Sequence, residues 1–329
     1  MKTFASPFLM APMAGVTDEA FRGRLRANGA RGLFTEMVSA AALVRNHRAT
    51  LAMVAPGDQE PDLALQLFGA KPDEMGSAGA ILADRGWTRV DINMGCPVKK
   101  VVQTGSGSAL LRTPLLAGAI VRSVRRAFGG VLTVKIRTGW SEADRNYLEM
   151  GRILEQEGAD GITLHGRTRV QGYSGKADWE AIYELAQSLK IPMAGNGDIS
   201  SSAQALKKLE KGRLSAVMIG RAALGAPWIF RECEWLSGGL TPPPPPSAWV
   251  VATDIMEQFR ALKNSKGSRV AVSEIKKFVA WADKGNSGCA ERRNAIMRII
   301  SPVEMEERIG AMANGFPLTD ALGFAENSP

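Results

Sequence analysis

From the N-terminus to about residue 240, short apolar runs alternate with longer stretches of helical spacing. The runs are Phe8–Ala11, Gly32–Met37, Leu63–Phe68, Val90–Asn93, Leu132–Ile136, Gly161–Leu164, Ile191–Ala194 and Ala216–Ile219. They are rich in Val, Ile, Leu and Phe, and several lack a strict two-residue alternation. Strands buried on both faces of a parallel sheet have that pattern. The stretches between them suit helices. Asp18–Asn28 opens on a capping aspartate and is followed by Gly29, a good helix stop; Asp178–Leu189 and Ser201–Glu210 are similar. Eight strand–helix alternations predict an α/β fold, a closed (β/α)8 TIM barrel, with an open doubly wound sheet as the alternative.

The pattern changes at Thr241–Pro246, where five consecutive prolines favour an extended spacer. Beyond it Ala248–Leu262, Ser273–Ala282 and Ala290–Ile299 have helical spacing and no strand alternation follows. The expected organisation is therefore a barrel over residues 1–240, a proline linker over 241–246 and a helical domain over 247–329. Between Val251 and Ile300 ten Lys and Arg face five Asp and Glu, which gives the helical part a basic character. The last segment, Asn314–Pro329, is short on signals and is expected to fray.

Charge sharpens this picture. The chain of 329 residues carries a net +8, which suits a polyanionic partner. No apolar run approaches the ~18–20 residues of a membrane span, and Met1–Met10 lacks a signal-peptide pattern. The three cysteines, Cys96, Cys233 and Cys289, are far apart, and with only His47 and His165 no zinc spacing is possible. Reduced thiols in a cytoplasmic protein, with no bound metal, no membrane contact and no obligate protein partner, are the expectation.

In a barrel, residues just past the C-terminal strand ends converge on one mouth. Those positions hold Pro12, Met13, Ala14 and Gly15, then Glu36, Gln66, Asn93 to Pro97, Lys135 and Arg137, His165 to Arg167, Asn196 to Asp198, and Gly220 with Arg221. Gly197 and Gly220 would let backbone approach an anion at the start of the helices that follow, and Arg221 adds charge. Lys135 lies in an apolar strand and either meets solvent at its end or faces an anionic ligand. His165 is either a structural histidine or a polar ligand contact. Cys96 sits in a rigid Gly95-Cys96-Pro97 turn that presents the thiol, with Lys99 and Lys100 close enough in sequence to lower its pKa. Cys233 and Cys289 read as structural. Gly105-Ser106-Gly107-Ser108 reads as a flexible lead-in to the next helix rather than a phosphate loop.

The ordered blocks Ala11-Pro12-Met13-Ala14-Gly15-Val16-Thr17-Asp18, Asp91-Ile92-Asn93-Met94-Gly95-Cys96-Pro97, Lys135-Ile136-Arg137-Thr138-Gly139-Trp140, His165-Gly166-Arg167-Thr168 and Ala194-Gly195-Asn196-Gly197-Asp198 resemble the signature blocks of bacterial tRNA-dihydrouridine synthases. Gly220-Arg221-Ala222 and Pro227-Trp228-Ile229-Phe230 fit as well, so the resemblance runs from about Phe8 to Phe230. It implies an FMN-holding barrel, with noncovalent flavin reduced by NADPH and tRNA as the substrate. It places Pro12, Met13, Ala14, Gln66, Lys135, His165, Asn196, Gly197, Asp198, Gly220 and Arg221 around the flavin. It makes Cys96 the catalytic acid and Asn93 a contact to the target base. A flavin barrel acting on a small molecule is the alternative, and it would not need a basic helical appendage.

Overall fold

The computed structural model describes residues 2–55, 60 and 62–315. The expected fraying of the C-terminal tail falls, from residue 316 on, outside the described residues. Eight strands follow in chain order: β1 (Phe8–Met10), β2 (Phe34–Ser39), β3 (Ala64–Phe68), β4 (Arg89–Met94), β5 (Val131–Arg137), β6 (Gly161–His165), β7 (Met193–Asn196) and β8 (Ala216–Ile219). Every paired neighbour is parallel, in the order β1-β8-β7-β6-β5-β4-β3-β2. The ring is joined where Leu9 bridges Gly32 and the Met10 N–H donates to the Gly32 carbonyl at 2.8 Å, just ahead of β2. This is the closed barrel, not the open sheet. All eight predicted strands are present, with ends moved by a residue or two.

Closure decides which side chains can meet. Lys135 on β5 reaches Asn196 on β7 at 3.2 Å although β6 lies between those strands. Only the barrel interior offers that path. By the two-residue period of a strand, Thr133 and Arg137 then share the inner face with Lys135, as do Asp91 and Asn93 on β4. The interior has two halves. Phe4, Leu9, Ala11, Phe34, Ala64, Ala194, Ala216 and Met218 form one buried apolar cluster. Gln66, Asp91, Asn93, Thr133, Lys135, Thr163, His165 and Asn196, all buried, supply the polar side.

The chain divides into two units: residues 2–17 with 30–220, and residues 18–29 with 221–315. The division thus falls after Gly220 rather than at the proline run. The reason is packing within the second unit. Helix Glu19–Ala27 stacks Phe21 on Phe278 with ring centroids 4.6 Å apart, and Arg24 donates from Nε to Asp254 at 2.6 Å. Arg231, in helix Ile229–Ser237, donates to the Ala27 carbonyl at 2.7 Å. Residues 241–247 form no helix or strand and join two helices inside this unit. Its long helices, Ala248–Lys266 and Ser268–Ala282, bury Ile255, Phe259, Leu262, Ile275 and Phe278. Among the described residues no helix is long and apolar enough to cross a membrane.

Candidate functional site

The turn after β1 is locked before any ligand is considered. The Met13 carbonyl accepts from the N–H groups of Val16 and Thr17, and the Met13 N–H donates to Thr17 Oγ1 at 3.1 Å. The Gly15 N–H donates to the Glu36 carboxylate. Pro12 and Met13 are half-buried and Ala14 is exposed in this turn.

Inside the polar half, one hydrogen-bond chain links three strands. Asp91 is fully buried; its Oδ1 accepts from Thr133 Oγ1 and its Oδ2 from Gln66 Nε2, both at 2.6 Å. Gln66 Oε1 in turn accepts from Asn93 Nδ2 at 3.0 Å. That leaves Asn93 Oδ1 to accept from the N–H groups of Cys96 at 2.9 Å and Gly95 at 3.3 Å. A carboxylate only accepts, so each amide along the chain has a fixed orientation. Burial pushes the Asp91 carboxyl up to about 6, against the pull of its hydrogen bonds and of Lys135. Sequence reasoning missed Asp91 and Thr133 as site residues. The visible signal was the strict polar–apolar alternation of Arg89-Val90-Asp91-Ile92-Asn93-Met94 and of Thr133-Val134-Lys135-Ile136-Arg137.

Lys135 is buried, so it does not meet solvent at its strand end. Burial lowers its pKa to about 7, assisted by Arg137 and opposed by Asp91 and Cys96. Its Nζ donates to Asn196 Oδ1, and Asn196 Nδ2 donates to the Met218 carbonyl at 2.7 Å. An ammonium has three donors, so the group has capacity for a polar or anionic ligand. The Thr163 hydroxyl, on the residue paired with Lys135, is buried and has no hydrogen-bond partner among the described residues. Buried hydroxyls are normally satisfied, so an orphan here marks space meant for a polar group.

His165 pairs in register with Asn196 and Arg137. Its Nε2 lies 3.5 Å from Arg167 Nη1. Arg167, fully buried, holds Asp198 through Nη2 at 2.9 and 2.8 Å, and the Ala177 N–H also donates to that carboxylate. Asp198 therefore spends its side chain on the β6 and β7 loops. It adopts φ 51°, a left-handed conformation that the surrounding bonds hold in place. At Gly197, φ is 132° and a Cβ would stand 2.5 Å from that of Ala177, so the protein itself requires glycine. Gly220 differs: a Cβ there would meet nothing nearer than that of Ala11, at 3.8 Å. Among the described residues no neighbour excludes a side chain at Gly220, so the open space is available to a ligand. The helix after β7, Ser202–Lys211, has its Gln204 N–H taken by the Ser201 hydroxyl, and the helix after β8 spans only Ala222–Gly225. Helix N-termini therefore contribute less to an anion site than the sequence suggested. Arg221 follows Gly220, is exposed, and begins the second unit.

Cys96 is half-buried. Burial raises its thiol pKa, more than the Val98 backbone bond and the charges of Arg137 and Lys135 lower it. This corrects the expectation of a thiol acidified by Lys99 and Lys100. Those lysines lie on a four-residue helix, Lys99–Val102, that buries nothing, and both are exposed. A protonated thiol at neutral pH is a proton donor, not a nucleophile. The Gly105–Ser108 segment is also not a flexible lead-in: Ser108 bonds the Cys96 carbonyl through its N–H at 3.1 Å and its hydroxyl at 2.9 Å. Cys233 is fully buried, and desolvation pushes its thiol up to about 12; Cys289 lies half-buried in the second unit.

Residues 9–315 match the sequence profile of the dihydrouridine synthase family (Dus). A probable tRNA-dihydrouridine synthase of Rickettsia bellii is 34% identical over 93% of this chain and 94% of its own length. One from Synechocystis is 38% identical over 92% and 85%, and tRNA-dihydrouridine synthase B of Pseudomonas putida 38% over 85% and 83%. A solved structure of a variant of NCR from Zymomonas mobilis shares the fold at 16% identity, with a TM-score of 0.50 over 70% of this chain and 87% of that one. Matched over most of its length by this profile and these relatives, the chain belongs to the dihydrouridine synthase family of flavin-dependent oxidoreductases.

Proposed function

We propose that this chain reduces the C5=C6 bond of a uridine in tRNA, with noncovalent FMN in the barrel mouth, NADPH as reductant and Cys96 as proton donor. The observation that carries the reading is the place of Cys96 just past the end of β4, its N–H held by Asn93 Oδ1 at 2.9 Å and its thiol pKa raised by burial. The residues present fit a flavin: Lys135 has spare donors, Thr163 is an orphaned hydroxyl, and Gly220 leaves open space. Pro12, Met13, Ala14, Gln66, Lys135, His165 and Asn196 would hold the ring and its side chain. Gly197, Asp198 and Gly220, with Arg221 following in the chain, would hold the phosphate end. The bound flavin supplies hydride to C6 of the base.

The chain's own residues do the rest. Asn93 holds the base, which has to leave its stack to enter the pocket. The Cys96 Sγ–H proton passes to C5 as the C6–H bond forms, leaving a thiolate and the saturated ring. Arg137 and Lys135 stabilise that thiolate until solvent returns a proton. The basic helices of the second unit would hold the tRNA backbone, since phosphate contacts dominate nucleic-acid affinity. Purified protein with FMN and NADPH is expected to form dihydrouridine in unmodified tRNA and to leave free uracil unchanged. Reduction of free uracil at a comparable rate would favour a small-molecule enzyme instead.

Gly220 gives a separate check on the flavin. Gly220→Ala should leave the apo-protein as stable or more so, by up to about 1 kcal/mol, because the backbone tolerates a side chain there and the unfolded chain loses freedom. FMN titration should nevertheless show weaker binding. Unchanged affinity would move the phosphate away from β8.

A further inference from the structure

We propose that Ser108, brought close by Gly107, is a positioning residue for Cys96: together they fix the Cys96 carbonyl and thereby the place of the thiol. The inference rests on the reading of Cys96 as proton donor. The Cys96 turn has little packing of its own downstream. Pro97 has no N–H to donate, Val98 is 56% exposed, and helix Lys99–Val102 buries no residue. What holds the turn is a set of hydrogen bonds from three directions. Asn93 Oδ1 takes the Cys96 N–H at 2.9 Å. Arg137 Nε donates to the Gly95 carbonyl at 2.8 Å. Ser108 donates to the Cys96 carbonyl twice, from its N–H at 3.1 Å and its hydroxyl at 2.9 Å.

Two features set Ser108 apart from an ordinary helix-start serine. It is fully buried, and its hydroxyl is spent twelve residues upstream rather than on capping its own helix, Gly107–Arg112. Gly107 allows the approach. It has φ 61°, and a Cβ there would stand 2.9 Å from the Cys96 carbonyl oxygen and 3.2 Å from the Cys96 Cβ. Only glycine lets the two segments meet this closely. A general acid has to sit within hydrogen-bond reach of the atom it protonates, and a misplacement of about 1 Å can cost on the order of 10²-fold in rate. A half-exposed thiol on an unpacked turn needs such a clamp; a thiol embedded in the core would not.

The test is single-turnover oxidation of prereduced, FMN-loaded full-length enzyme by saturating unmodified tRNA. Ser108→Ala removes one of the two bonds, and Gly107→Ala puts a Cβ against the same carbonyl oxygen. Each is expected to lower the rate constant by about 10-fold or more at full amplitude. The tRNA concentration for half-saturation and flavin reduction by NADPH should stay as in the wild type. A merely structural defect would lower the amplitude instead, by reducing the active fraction. On a Cys96→Ala background neither change should slow the reaction further, because the clamp acts through the thiol. Wild-type rates in both variants, lost amplitude at an unchanged rate constant, or an equal further loss on the Cys96→Ala background would each overturn the clamp. The Cys96→Ala enzyme alone tests the underlying reading: if it is as fast as wild type, the proton-donor role falls, whereas a slow Cys96→Ala beside fast clamp variants removes only the clamp.

Discussion

Cys96→Ala is expected to slow uridine reduction by roughly 10²–10⁴-fold, the usual contribution of a positioned acid or base. The loss should be confined to the half-reaction with tRNA. Alanine keeps the backbone N–H that Asn93 holds and the carbonyl that Ser108 holds, so the turn should survive. Flavin binding and its reduction by NADPH need no proton at C5 and should be close to normal. Cys289→Ala should show wild-type activity. Cys233→Ala empties part of a fully buried site and should cost stability rather than chemistry. Dihydrouridine formed at the wild-type rate by prereduced Cys96→Ala enzyme would mean that another group protonates C5.

Asp254→Ala should markedly destabilise the second unit. Arg24 has a side chain only 1% exposed, and its Nε bond to Asp254 is the one salt bridge it makes among the described residues. Burial lowers the Arg24 pKa, and Asp254 is the group that opposes this. Gln258 Oε1, at 3.3 Å from Nη1, is a neutral partner, and Nη2 has none among the described residues. Removing one member of a buried pair leaves an uncompensated charge and costs about 3–5 kcal/mol. Asn28, which reaches both Asp254 oxygens at 3.3 Å, loses its contact as well. Hydrogen exchange in helices Glu19–Ala27 and Ala248–Lys266 would report the loss locally; protection reduced by less than about 1 kcal/mol would show that Arg24 finds another anion or water. Asp254→Asn keeps an acceptor and should be milder.

Most of the barrel was legible because the eight strands are buried on both faces, and runs of Val, Ile and Leu announce that directly. The polar residues at their C-terminal ends were legible for a topological reason: closure brings those ends together whatever the loops do. Three things were not legible. Asp91 and Thr133 lie below the mouth in strands that already read as core, so their alternation was absorbed into the strand assignment. Lys99 and Lys100 are close to Cys96 in sequence, but they are exposed on their short helix, while the charges that act on the thiol are those of Arg137 and Lys135 on another strand. The unit boundary was hidden because the partners of Phe21 and Arg24 lie more than two hundred residues away, and no local pattern encodes them.

That last pairing bears on biosynthesis. Arg24 and Asp254 are separated by 230 positions. At the ~5–20 residues per second of translation, the ribosome needs roughly 10–50 s to supply the second after the first. Over that interval residues 18–29 have left the exit tunnel with Phe21 and Leu25 lacking the surfaces that finally cover them. The barrel segment can begin to close while helix Glu19–Ala27 waits for its partners in helices Ala248–Lys266 and Ser268–Ala282. Nascent chains stalled near residue 220 should therefore engage holdase chaperones through this stretch, and release after residue 315 should end that engagement.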